Sequence, residues 1–104
     1  MRRQDVPNEL LNDVKNSLNI TWDDEPTDAK IRGFIAAGTV FLNKKGGTEF
    51  DYEADGLPRT LLMEYVRYAR DAALDVFENN YLSMILAMQN ERAVTVYLES
   101  TGKT

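Results

Sequence analysis

The chain has 104 residues, enough for one compact domain around a single core. Its 43% hydrophobic and 28% charged residues match a globular fold, and neither a disordered chain nor a membrane protein. With no cysteine and no histidine it offers no disulfide, thiolate nucleophile, Ser-His pair or ordinary zinc site; seventeen acidic against twelve basic residues, a net charge of -5, repel a phosphate backbone, so enzymes and free-standing nucleic-acid binders are disfavoured and protein partners favoured.

The start, Met1-Arg2-Arg3-Gln4-Asp5-Val6-Pro7, has two positive charges with no apolar stretch behind them, so neither a secretory nor a twin-arginine signal is expected and the chain is expected to stay where it is made. No window approaches the ~20 apolar residues of a membrane span, and no membrane partner is expected. The glycosylation sequon Asn19-Ile20-Thr21 carries no weight without a secretory context.

Apolar periodicity predicts four helices. The first runs from Val6 to Leu18 on Leu10, Leu11, Val14 and Leu18, with Asp5 or Asn8 able to cap it and Pro7 tolerable in its first turn. Asn19-Ile20-Thr21-Trp22 breaks the pattern, and Asp23-Asp24-Glu25-Pro26 suits a second helix N-terminus. Ile31, Phe34, Ile35, Gly38, Phe41 and Leu42 form its apolar stripe, with Gly38 marking a close helix contact, and Asn43-Lys44-Lys45-Gly46-Gly47 ends it. In the connector, Thr48, Phe50 and Tyr52 alternate with Glu49, Asp51 and Glu53, the pattern of a short extended arm or hairpin.

The third helix is expected from about Pro58 to Asn79, with Leu62, Tyr65, Val66, Ala69, Ala72, Ala73, Val76 and Phe77 on its core face. Leu61, Met63, Tyr68 and Leu74 fall outside that stripe, which predicts contact with two neighbours, another subunit being a candidate for one. Asn79-Asn80 suits a break, one asparagine left-handed and the other a cap. The fourth helix, Tyr81 to about Arg92, is apolar on nearly every side through Tyr81, Leu82, Met84, Ile85, Leu86 and Met88, implying either a central position or an oligomer interface. Val94-Thr95-Val96-Tyr97-Leu98 alternates like a strand, and a polar tail from Glu99 to Thr104 follows. The expected architecture is all-α: one domain over residues 1–104, a small four-helix bundle over about 6–92, a short extended arm or hairpin, and a strand-like tail over 93–104.

The possible chemical sites give way to plainer readings. Asp51-Tyr52-Glu53-Ala54-Asp55-Gly56 begins like a calcium loop, but the residue at position 12 is Leu62 and not glutamate, and Pro58 sits where the loop makes a short strand, so a solvated acidic turn is preferred. Asp23, Asp24, Glu25 and Asp28 could gather magnesium or act as acid-base carboxylates, yet helix capping accounts for them. Gly46-Gly47 lacks the lysine and serine of a phosphate loop. No catalytic residue, metal or cofactor is therefore expected.

Three features remain as contact candidates. Trp22 either plugs the near end of the core or anchors a protein interface. Met84 and Met88, four apart, are either gap-filling core or adaptable contact surface. The strand expected over Val94, Val96 and Leu98 either folds beside the Phe50-Tyr52 arm or adds to a sheet edge of another chain.

The order of motifs carries a resemblance. The short first helix, the link Ile20-Thr21-Trp22-Asp23-Asp24-Glu25, the amphipathic second helix, the Gly-Gly loop, Leu61-Leu62-Met63-Glu64-Tyr65-Val66-Arg67-Tyr68-Ala69-Arg70-Asp71, the run Ala72 to Tyr81 and Met88-Gln89-Asn90-Glu91-Arg92 together resemble the head-tail connector, or adaptor, proteins of long-tailed bacteriophages and prophages, over about residues 8 to 95. The resemblance implies a non-catalytic structural virion protein, assembled in the bacterial host cytoplasm and located at the head-tail interface. It implies a homo-oligomeric ring, typically a dodecamer, bound beneath the portal protein after DNA packaging, with a tail-side completion or stopper protein below. DNA would pass through the channel without specific binding, past carboxylates that repel it. On this reading Leu61, Met63, Tyr68, Leu74, Met84 and Met88 become ring interface, Val94, Val96 and Leu98 reach the portal or a neighbour, and Trp22 is a further anchor. The competing expectation is a small acidic helical regulator, antitoxin-like or anti-activator-like, that masks a single protein partner and mimics nucleic-acid charge.

Overall fold

A computed structural model describes residues 1–101 as an all-α fold: five α-helices joined by turns, with no strand among those residues. A single 3-10 turn at Arg3–Asp5 precedes α1 (Asn8–Ser17). Neither expected side chain caps α1: the N-cap position is Pro7, with no side-chain hydrogen bond. Asp5 pairs instead with Arg2 at 3.1 Å, and the Asn8 side-chain oxygen accepts from Arg32, whose other terminal nitrogen donates to the Val6 backbone carbonyl at 2.6 Å. A guanidinium on the second helix thus holds the entry to the first. Leu10, Leu11 and Val14 bury the inner face of α1, as their spacing predicts.

The helix ends share one device. Asn19 stands at φ 62°, and the Ile20 N–H donates to the Lys15 carbonyl at 2.9 Å while the Asn19 N–H donates to that of Asn16, closing α1 in a Schellman turn. At the far end of α2 (Glu25–Gly46), Gly47 takes φ 72° and the Thr48 N–H donates to the Asn43 carbonyl at 3.2 Å. The start of α2 is as its sequence predicts: Asp24 is the N-cap and accepts from the Thr27 N–H and hydroxyl, with Pro26 in the first turn. Those two Thr27 bonds hold the Asp24 carboxyl below the usual aspartate range.

Gly38 is buried where α2 meets α3 (Leu57–Arg70); a β-carbon there would lie 2.8 Å from both Leu62 Cδ1 and Tyr65 Cδ1. Gly38→Val therefore pushes α2 and α3 apart and costs about 1–3 kcal/mol, measurable as a lowered urea midpoint. Between the two helices, Phe50 and Tyr52 turn inward while Glu49, Asp51 and Glu53 face water, so the alternation reports burial correctly. The arm is nonetheless not a strand. The Asn43 side-chain oxygen accepts from the Phe50 N–H at 3.1 Å and the Tyr52 hydroxyl at 2.6 Å, taking the place of a ladder, and burial pushes the Tyr52 hydroxyl above the usual phenol range.

The long third helix expected to reach Asn79 is broken at Arg70. Ala72 stands at φ 56°, Leu74–Val76 form a 3-10 turn, α4 is a single turn at Phe77–Asn80, and α5 runs Leu82–Ser100. Packing explains the break: Phe77 is 1% exposed, with its ring 5.4 Å from Tyr65, 5.6 Å from Tyr68 and 6.0 Å from Phe41. Twelve residues of uninterrupted helix would instead hold Phe77 about 18 Å along the axis from Tyr65. The expected Asn79-Asn80 break shifts accordingly: neither asparagine is left-handed or caps a helix, and Asn80 donates to the Tyr68 hydroxyl.

The C-terminal strand is also corrected. Val94, Val96 and Leu98 lie inside α5, where helical bonds satisfy the backbone that a strand would present to a partner, so neither the arm nor a foreign sheet edge is paired by them. Of the expected polar tail, residues 102–104 lie outside the described residues. The core runs from Val6 through Leu10, Val14, Ile35, Leu42, Leu62 and Val66 to Phe77, Ile85 and Met88. Because α5 packs on α2 and α3 through its first half only, the molecule is elongated, 49 × 27 × 20 Å.

Candidate interaction surface

Helix α5 presents two apolar faces. Ile85 and Met88 are buried, with Tyr81 and Met84 packed beside them, so this side belongs to the core. Leu82, Leu86, Ala93 and Tyr97 fall within roughly 60° of one another around the axis, and their centre lies roughly 120° away from the buried side. This second stripe faces water: Leu86 is 53% and Tyr97 65% exposed, with Leu82 and the flanking Val96 similarly open. From Ala93 to Ser100 every residue is exposed. A helix apolar all round needs two things to pack against, and within this chain it has one.

Polar contacts fasten the inner side. The Gln89 amide donates to the Lys45 carbonyl at 2.9 Å, and the Tyr81 hydroxyl donates to Glu64 at 2.8 Å beside the Glu64–Arg67 ion pair. Glu64 raises the Tyr81 phenol above its ordinary range and, with Tyr81, raises Arg67. Lys45 adds an ion pair to Glu78 at 2.7 Å. The outer stripe has no such fastening to the rest of the chain among the described residues: the side-chain hydrogen bond found there, from the Ser100 hydroxyl to the Tyr97 carbonyl at 2.8 Å, stays within α5.

The residues singled out in the sequence divide between core and surface. Leu61 and Met88 are fully buried core, so neither presents surface to a partner. Met63, Tyr68 and Met84 pack against the core with part of their surface open; the Tyr68 ring lies 5.5 Å from Tyr81. Leu74, at 39%, and its neighbour Val76 are exposed beside the left-handed turn. Val94 and Leu98 are exposed on a third side of α5, away from the Leu82–Tyr97 stripe, whereas Val96 borders it. Trp22 does not plug the bundle: it is 52% exposed. Leu82, Leu86 and Tyr97 complete the surface, and the signal for two of them is the all-round apolar composition of the fourth predicted helix.

The acidic corner beside Trp22 is bound up in structure. Lys15 is buried, and its ammonium meets Asp28 at 2.8 Å and Asp23 at 3.1 Å, spanning α1, the link and α2. The bond from Asp28, then that from Asp23, holds Lys15 charged above the usual lysine range despite its desolvation. Asp23, Asp24, Glu25 and Asp28 therefore cap, clip and solvate. Among the described residues no three acidic side chains gather as a metal-binding group, and the Asp51–Gly56 segment is a turn in which the Glu53 N–H donates to Asp51 at 3.0 Å.

No protein-family model matches the chain, and searches among curated proteins and solved structures find no match to it.

Proposed function

We propose that this chain is a structural adaptor whose copies assemble into a ring beneath a phage portal, extend the DNA channel, and support tail attachment through a tail-side completion protein. The outer stripe of α5 carries the proposal. Leu82, Leu86 and Tyr97, 45%, 53% and 65% exposed, form an apolar face that nothing among the described residues covers, and self-association is the simplest use for it. A closed ring joins two different patches of each subunit; the stripe on α5 supplies one, and exposed Ala37 and Val40, three apart on α2, offer an apolar counterpart. The net charge of -5 suits a channel that DNA must slide through without sticking. The reading is non-catalytic and needs no cofactor, and it places the protein in the virion after assembly in the host cytoplasm.

The order of sequence motifs adds the portal to a proposal that α5 alone would leave at self-association. Negative-stain electron microscopy of the protein with purified portal rings of the same phage or prophage tests it: an added disc below the portal, of matching symmetry, is the expected result. A bare portal together with a monomeric chain overturns it and favours the acidic regulator that masks one soluble partner.

A further inference from the structure

The turn between α3 and the rest of the chain is built on the wrong residue. Three helices end with a left-handed residue; Asn19 and Gly47 are types that tolerate it, but the third is Ala72, whose β-carbon meets the backbone in that conformation. The hydrogen bonds are those of a regular Schellman turn, with the Ala73 N–H on the Tyr68 carbonyl at 2.8 Å and the Ala72 N–H on that of Ala69 at 3.2 Å. Nothing in Arg70-Asp71-Ala72-Ala73-Leu74-Asp75 is glycine or proline, and alanine and leucine are strong helix formers. Local preference thus favours a straight helix where tertiary packing enforces a bend, and Asp71, Ala72 and Leu74 lie exposed, free to rearrange.

We infer that this turn is the hinge of a helix exchange, in which α3 runs on through Ala72 and the unit Leu74–Ser100 seats itself on a second copy of this chain. The occupant of the seat follows from identity. Phe77 against Phe41 and Tyr65, Tyr81 on Glu64, Glu78 on Lys45 and Gln89 on the Lys45 carbonyl are all contacts between that unit and the body, and each forms equally well with another copy's body. Exchange therefore leaves these packing contacts intact, relieves Ala72 and adds helical hydrogen bonds at the hinge; what opposes it is the entropy of bringing copies together. The inference needs a second copy and nothing of the phage reading.

The test uses the absence of native cysteine. Glu49→Cys with Arg92→Cys places one thiol on the connector and one on α5, both lining the cleft between them, where a bis-maleimide joins them without touching the Lys45 contacts of the seat. The full-length protein is refolded at high concentration, its assembly state measured by light scattering, and the cross-linked product resolved on a denaturing gel. Exchange predicts covalent multimers in the assembled fraction, and Ala72→Gly, which eases the bend and weakens the straight helix, lowers their share by about tenfold or more. Assemblies that carry only intrachain cross-links overturn the exchange and leave self-association standing. A chain monomeric at every concentration overturns both. Multimers unchanged by Ala72→Gly overturn the hinge.

Discussion

Phe77→Ala lowers the stability of the monomer by about 3–5 kcal/mol, a large share of the 5–15 kcal/mol typical of a domain this size. The side chain is 1% exposed and joins α2, α3 and the junction between α4 and α5 through aromatic rings: Phe41 at 6.0 Å, Tyr65 at 5.4 Å, Tyr68 at 5.6 Å and Tyr81 at 5.2 Å. Truncation leaves a cavity that four rings fixed by other contacts cannot close, and removes the edge-to-face pairs as well. It also removes what bends the chain after Arg70. Urea unfolding followed by far-ultraviolet circular dichroism measures the effect; a loss below about 1 kcal/mol would mean that Phe77 does not hold the bend.

Leu86→Glu combined with Tyr97→Glu weakens association through the outer stripe of α5 while leaving helicity and unfolding midpoint close to the parent. Both residues are more than half exposed and lie on the outer stripe of α5, so the folded monomer loses little; in an assembly each carboxylate would be stripped of water against an apolar neighbour. A weakening of at least about a hundredfold in the association constant is expected, since central interface side chains are typically worth 2 kcal/mol or more each. Analytical ultracentrifugation across a concentration series checks it. A variant that unfolds would place the stripe in the core, and one that assembles normally would remove the outer stripe of α5 from the interface.

The legible parts of the fold are those in which residue type and environment agree. Asp24 and Pro26 announce α2 and begin it, Gly47 ends it, and Gly38 marks a close approach that the Leu62 and Tyr65 side chains complete. The illegible parts are those in which long-range packing overrides local preference. No local signal distinguishes Ala72 from any other helical alanine, so a helix drawn through it to Asn79 is the best local answer; the bend is enforced by Phe77, whose partners Phe41 and Tyr65 lie 36 and 12 positions earlier. Val94 to Leu98 fails differently. Its alternation is a strand signal only where one side is buried, and there every residue is exposed, so the period says nothing and the helix simply continues. Asp5 and Asn8 look like caps because they are polar and well placed, but Arg2 and Arg32 claim them.

The candidate surface was half visible for the same reason. An apolar excess in the fourth helix can be counted from the sequence, yet which residues of that excess face inward depends on where the bend sets α5 down. Met88 therefore turns out to be core, and Leu86 surface, although both belong to the apolar excess of the predicted fourth helix.

Trp22, set at the corner between α1 and α2, divides the optical signals of the molecule. It is the single tryptophan and stands half in water, whereas Tyr52 and Tyr65 are buried. Indole emission consequently begins part of the way to that of a hydrated ring and moves less when the bundle melts than that of a buried tryptophan, which leaves the band open for reporting contact. Any partner that covers the acidic corner shifts it to the blue with the helices unmoved, while contact along the outer stripe of α5, which shares no residue with the surroundings of Trp22, leaves it silent. One chromophore thereby tells the two ends of this protein apart without a label.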